Sequence, residues 1–322
     1  MNLHEDKEAF QNAVIATAQY INIPETFIEK DYWVTYILRN LSLSEFNDKA
    51  VFKGGTSLSK GYALINRFSE DVDLVLLKIG YREDKDNEKL MTSIYKTICK
   101  LPLKRLKGDA RERDSISYKK KIYEFEKIDP NGDYYHGTPD ITLEINCFNE
   151  PTPTKTVQLK SYIYDFFRAK GFEDDIKEYK LEPFELQLLC TTRTFLEKIL
   201  SLYRGANKGI LIERIRHFYD IYMLLNYDKE VKALYIDKEQ FRKRLQHVIG
   251  EEKYHKTFCD IKDFLPLYTS RFEVEYENFR ESLKLAYKDF ESMLYKGQVH
   301  PTFEEVEACI KDIRQFIKEQ GL

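Results

Sequence analysis

Apolar residues recur at helical spacing near the start of the chain. Phe27, Val34, Ile37, Leu38 and Leu41 follow Pro24-Glu25-Thr26, a helix start with an early acid, so residues 1–42 are predicted helical. The pattern then shortens. Val51-Phe52 leads into a Gly54-Gly55-Thr56 turn, Tyr62 to Asn66 fits a short helix, and Glu70 to Leu77 reads as a strand. Residues 86–100 return to helical spacing. Tyr118 to Ile128 alternates as a strand and Thr142 to Phe148 does so more clearly, with a turn at Asp129-Pro130-Asn131-Gly132 between them. From Ser161 onward nearly everything has a 3.6-residue period and no strand stands out. Leu188, Thr192, Phe195, Ile199 and Leu202 make one stripe; Leu211, Ile215, Phe218, Tyr222 and Leu225 make another; residues 271–294 and 301–319 add two amphipathic helices. The expectation is an α/β chain: a mixed sheet with an N-terminal helix over 1–160 and a helical domain over 161–322.

Composition narrows the class. With 322 residues, 43% of them hydrophobic and 14% aromatic, the chain can build a sizeable core. A mean hydropathy of −0.54 and the lack of any apolar run near the roughly 20 residues of a membrane span lead to the expectation of a soluble, cytoplasmic protein without membrane contact. Five scattered cysteines without CxxC spacing, and six histidines without ligand spacing, indicate neither a disulfide framework nor a zinc site. The net charge of −3 argues against indiscriminate coating of nucleic acid. Locally, residues 100–121 hold nine Lys/Arg against three Asp/Glu. That run, which ends in Lys119, Lys120 and Lys121, reads either as a solvated loop and strand edge or as an electrostatic approach to RNA phosphates.

The chemistry concentrates between Val51 and Leu77. A Gly54-Gly55 turn lets backbone N–H groups approach a phosphate, with the Thr56 hydroxyl beside them. Asp71 and Asp73, at i and i+2 of a strand, share one face. Two such carboxylates repel and are costly to bury unless a cation such as Mg²⁺ or Mn²⁺ neutralises them. Glu144, flanked by Leu143 and Ile145, is the natural third carboxylate if its strand lies beside theirs, with Asp140 as the fallback. Later, Lys198 flanks an apolar helix stripe, where it can snorkel. Arg216 and Asp220 lie one turn apart, as an i,i+4 surface pair would.

The order Gly-Gly, helix, Asp-x-Asp resembles the nucleotidyltransferase superfamily. The finer form, Gly54-Gly55-Thr56-x-Leu58 followed by Arg67-Phe68-Ser69-Glu70-Asp71-Val72-Asp73, resembles the AbiEii/AbiGii toxin family, as does Glu29-Lys30-Asp31-Tyr32-Trp33-Val34-Thr35. The resemblance covers roughly residues 25–225. It implies the toxin of a type IV-like toxin–antitoxin or abortive-infection pair, with a nucleotidyltransferase-type sheet and a nucleotide held between sheet and helical domain. In that reading Asp71, Asp73 and Glu144 hold the metal. Gly54, Gly55, Thr56, Arg67, Ser69, Lys198 and Asp220 hold the nucleoside triphosphate, and a nucleoside monophosphate passes to a hydroxyl, with tRNA as the implied acceptor. Lys198 stands where the family's phosphate-reaching lysine lies. His217 replaces the first acid of an Arg-Asp-x-x-Asp pattern, which removes that acid as a general base. Small-molecule modification, nucleotide binding without turnover, and antitoxin binding alone are the alternatives.

Overall fold

The computed structural model describes residues 1–77, 84–129, 132, 134, 138–254, 267, 271–295 and 297–322. Pro130 and Asn131 of the expected turn, and Cys259, lie outside them. The chain divides into two compact units: Met1–Ala63 with Phe68–Leu189, and Leu64–Arg67 with Cys190–Leu322. The division falls after Leu189 rather than at 160/161, because a strand follows residue 161.

The first unit is an eight-stranded mixed sheet in the order β3-β5-β6-β2-β1-β8-β7, with β4 paired to β5. Its strands are β1 (Ala50–Lys53), β2 (Val72–Leu76), β3 (Lys104–Arg105), β4 (Arg113–Asp114), β5 (Tyr118–Glu124), β6 (Ile141–Asn146), β7 (Thr154–Leu159) and β8 (Phe184–Leu189). The central strands pair β1 antiparallel to β2, and β2 parallel to β6. The central strands are apolar where their faces are covered, and Val51, Phe52, Leu74, Leu143, Ile145 and Leu188 are buried.

Helices α1 (Lys7–Ile21), α2 (Glu25–Ser42), α3 (Gly54–Lys60), α4 (Asp84–Ile98), α5 (Tyr162–Lys170) and α6 (Glu173–Glu178) complete the unit. α2 packs against α1, α4, α5, β6 and β8, so it is enclosed on most of its circumference. Two sequence expectations change. The short helix after the glycines is α3 itself, starting at Gly54, and residues 62–66 are irregular, with Ala63 left-handed at φ 51°. Gly-Gly has poor helix propensity, but its tertiary setting decides here. Second, Leu188 belongs to β8, not to the helical stripe. Phe184-Glu185-Leu186-Gln187-Leu188 alternates with period 2, and only Cys190 separates β8 from the next helix, so the two periods run together in sequence.

The second unit is helical over its main span: α7 (Thr191–Asn207), α8 (Ile215–Tyr227), α9 (Lys229–Ile236), α10 (Lys238–Tyr254), α11 (Phe272–Phe290) and α12 (Phe303–Glu319). Asp228 caps α9 through the backbone N–H groups of Glu230 and Val231. Thr302 and Glu305 form a capping box on α12, which buries Val306, Ile310, Ile313 and Ile317. The short segment 64–67 joins this unit by pairing Arg67 with Leu294, while Tyr295 N–H donates to the Asn66 carbonyl at 2.9 Å.

Candidate functional site

The glycine turn and the first aspartate strand meet at Gly54. β1 and β2 pair so that Lys53 lies opposite Asp73. The chain leaves β1 at Gly54, with φ +81°, a backbone conformation open to glycine and strained for other residues. A Cβ at Gly54 would fall 2.1 Å from Asp73 Oδ2. The missing side chain is therefore what brings the start of α3 onto the Asp73 carboxylate. Asp71 precedes the first residue of β2, and both aspartates are half-buried.

Glu144 lies where its sequence predicts. β6 runs beside β2, and Asp73 pairs in register with Glu144. Its carboxylate accepts a hydrogen bond from Tyr118 at 2.8 Å and pairs with Lys120 at 2.9 Å. Burial and the Glu144 charge raise the Tyr118 pKa, keeping the phenol a donor. Asp140, the fallback, is instead committed to Arg111 (2.6 Å) and Thr138 (2.7 Å).

Among the described residues no three His, Cys, Asp or Glu side chains converge closely enough to enclose an ion by themselves. That donor set still fits Mg²⁺. A magnesium ion keeps waters and is bound through one or two carboxylates plus substrate phosphates, not by a dedicated protein cage. Asp71 and Asp73, the latter against Gly54, are two carboxylates and so match that number.

The residues leading into Asp71 are themselves anchored. Phe68 stacks on Phe27 with centroids 3.7 Å apart and rings nearly parallel. Ser69 and the buried Thr56 share a hydrogen bond of 2.9 Å, which ties β2's approach to α3. Glu70 is bonded by the Lys30 ammonium and accepts from Thr138 N–H at 3.3 Å. The hydroxyls expected to hold the nucleotide thus also hold each other. Sequence reading missed the Lys30 contact. Its signal was a charged triplet, Glu29-Lys30-Asp31, inside the apolar run Phe27 to Val34 of a helix.

In the second unit, Asp220 is fully buried between two cations. Arg67 forks onto it with two bonds of 2.7 Å, and Lys198 Nζ lies 2.7 Å from its Oδ2. Burial opposes the Asp220 charge, but Arg67 and Lys198 hold its pKa far below the ordinary carboxylate range. Burial likewise works against the Arg67 charge, and Asp220 more than offsets it, leaving the pKa raised. His217 is driven well below its usual value by burial and then by Lys198, so the imidazole is neutral. The i,i+4 surface pair of Arg216 and Asp220, one of the two sequence readings, does not form. Arg216 is exposed, and Asp220 faces the other way because α8 buries Phe218, Tyr219 and Ile221 around it.

The basic run at 100–121 is largely neutralised within the first unit. Lys119 and Lys121 are buried, and both pair with Asp114. Lys120 pairs with Glu144, Arg105 with Glu112, and Arg111 with Asp109 and Asp140. Lys119 to Lys121 are therefore neither a solvated edge nor an open RNA-facing patch. Lys119 and Lys121 share one face of β5, where Glu88 of α4 and Asp114 meet them and Tyr95 lies under the Lys121 ammonium at 5.1 Å from the ring centroid.

A backbone turn laid against paired strand carboxylates is an arrangement suited to handling a phosphate–metal complex. Sequence comparison makes the class definite: residues 36–309 match the family described as nucleotidyl transferase AbiEii toxin, type IV TA system. The chain belongs to that family of nucleotidyltransferase toxins. The match begins after Thr35 and runs well past residue 225, so it starts later and extends further than the sequence motifs indicate. No curated protein matches the chain. Among solved structures it is similar to MenT4, a nucleotidyltransferase toxin from Mycobacterium tuberculosis H37Rv. The TM-score is 0.44 and the identity 13%, covering 90% of this chain and 85% of that one. No described helix is long and apolar enough to cross a membrane.

Proposed function

We propose that this nucleotidyltransferase moves a nucleoside monophosphate from an NTP to a hydroxyl of RNA, with tRNA as the acceptor, in a reaction that depends on Mg²⁺ or Mn²⁺. A cognate antitoxin would restrain it. The observation that carries the reading is the contact geometry at Gly54, where only the absence of a Cβ lets a backbone turn lie against Asp73, with Glu144 in register beside it.

Asp71 and Asp73 would hold the cation, whose chemistry is to neutralise charge on the triphosphate oxygens. The Gly54-Gly55 backbone would orient the phosphates. Glu144, steadied by Tyr118 and Lys120, would take the proton of the attacking hydroxyl. The acceptor oxygen then bonds to the α-phosphorus as the bond to the β-phosphate oxygen breaks, releasing pyrophosphate. Within the second unit, Asp220 fixes the side chains of Lys198 and Arg67.

The test is incubation of the pure protein with each labelled NTP, Mg²⁺ and total RNA. Label in the tRNA fraction that disappears with EDTA and returns with Mg²⁺ is the expected result. Label on a small molecule would transfer the reading to small-molecule modification, and no label with any NTP would refute it.

A further inference from the structure

Three consecutive charged residues on α2 are buried: Glu29, Lys30 and Asp31, at 2%, 0% and 9% exposure. Successive helical residues point about 100° apart, so the three reach different neighbours. Glu29 accepts from Ile128 N–H at 2.8 Å and from the Tyr134 hydroxyl at 3.2 Å. Asp31 pairs with Lys60, the last residue of α3, and accepts from Tyr162 N–H at 2.9 Å. Lys30 bonds the Glu70 carboxylate and the Thr138 carbonyl.

The Lys30 contacts fall where the sheet ladder ends. β2 and β6 are in register from Val72–Leu143 onward, which fixes Asp73 against Glu144. Asp71 precedes the first pair, so the ladder does not fix its backbone. Glu70 adjoins Asp71, and Thr138 lies three residues before β6 begins. One ammonium therefore joins the lead-ins of both carboxylate-bearing strands at the point where inter-strand pairing stops. A buried ion pair contributes little net stability compared with apolar residues of the same volume, so stability alone does not account for a lysine here.

We propose that Lys30 is a positioning residue: through Glu70 and Thr138 it holds the Asp71 backbone in the place that metal-bound triphosphate requires. The inference rests on the proposed function, and it concerns a residue outside the 36–309 family match.

The test compares the parent with Lys30→Met/Glu70→Gln, which removes both charges together and leaves an acceptor for Thr138 N–H. Its melting temperature should stay within a few degrees of the parent's. Amide exchange over 69–72 and 138–140 should quicken about tenfold, while 73–76 and 143–146 stay as protected as before. In transfer assays kcat should fall about 100-fold, the cost of a displacement near 1 Å, with the KM for RNA unchanged and more Mg²⁺ needed for half-saturation. Glu70→Asp alone, which keeps a charge opposite Lys30 on a shorter arm, should lose about tenfold in kcat and covers the case in which the double variant does not fold. Unchanged exchange at 69–72, or an unchanged kcat in the folded variant, overturns the proposal. A parent that transfers nothing refutes the proposed function instead, and the exchange measurement still judges the clamp.

Discussion

Gly54→Ala tests the contact on which the site reading depends. The new Cβ would lie 2.1 Å from Asp73 Oδ2 and 3.0 Å from its Cγ. Non-bonded heavy atoms settle at about 3.5 Å, so the helix start or the carboxylate must yield by about 1.4 Å. Asp73 is a short side chain held between Lys53 and Glu144 in the ladder, with little room to swing away. The φ of +81° adds about 1–2 kcal/mol of backbone strain for an L side chain. At about 2–4 °C per kcal/mol, melting should drop by about 2–8 °C. Displacing a reacting group by an ångström costs about 100-fold in rate, so transfer should fall by at least that much at a temperature where the variant is folded. Gly250→Ala is the control. Its Cβ meets nothing within 4 Å, and it lies inside α10, so it should stabilise by about 0.5–1 kcal/mol and leave transfer unchanged. The assay is labelled-NMP incorporation alongside thermal melting. Parent-like transfer by Gly54→Ala would show that the turn and Asp73 do not act together.

Asp71→Asn and Asp73→Asn should each reduce transfer by more than 100-fold while the protein stays folded; a collapse of melting temperature in both would make them structural carboxylates. Glu29 is pushed up by burial from 4.5 to about 7, so the folded state holds a proton that the unfolded chain loses. This contribution is full below about pH 4.5 and lost as pH rises through about 7, about 3 kcal/mol in all. Glu29→Gln, a neutral isostere, should match the parent at pH 5 and exceed it at pH 8 in thermal melts, and a difference that does not grow with pH counts against the assignment. Asp220→Ala strands Arg67 and Lys198 as buried cations and should cost about 3–5 kcal/mol in denaturant unfolding; a change under about 1 kcal/mol would mean the cluster is solvated.

What the sequence makes legible here follows from periodicity. Asp73 and Glu144 sit in short strands with Asp71 just ahead of one of them, and a strand's period of two fixes which side chains share a face; that β2 pairs with β6 is what the fold adds. Three features were not legible. β8 runs into α7 with one residue between, and Leu188 fits both periods. The partners of Asp220 are 153 residues away at Arg67 and on a different helix at Lys198, so an i,i+4 reading finds Arg216 instead. Lys119 and Lys121 look like a basic patch until Asp114, brought alongside by the β4–β5 pair, is found between them. Local pattern sets faces; it does not set which distant charge arrives to neutralise a buried one.

The chain's route through the two units has a consequence during synthesis. Leu64–Arg67 belongs to the second unit although both flanks belong to the first, so no single cut yields the two units as separate complete chains. Arg67 finds Asp220 only after 153 further residues exist. A ribosome releasing a truncated product ending near Leu189 would leave Arg67, four residues before Asp71, without that partner. Closing so distant a contact costs more chain entropy than closing a local one. For a toxin made inside the cell it can harm, this ties completion of the segment beside the aspartates to synthesis of the second half of the chain.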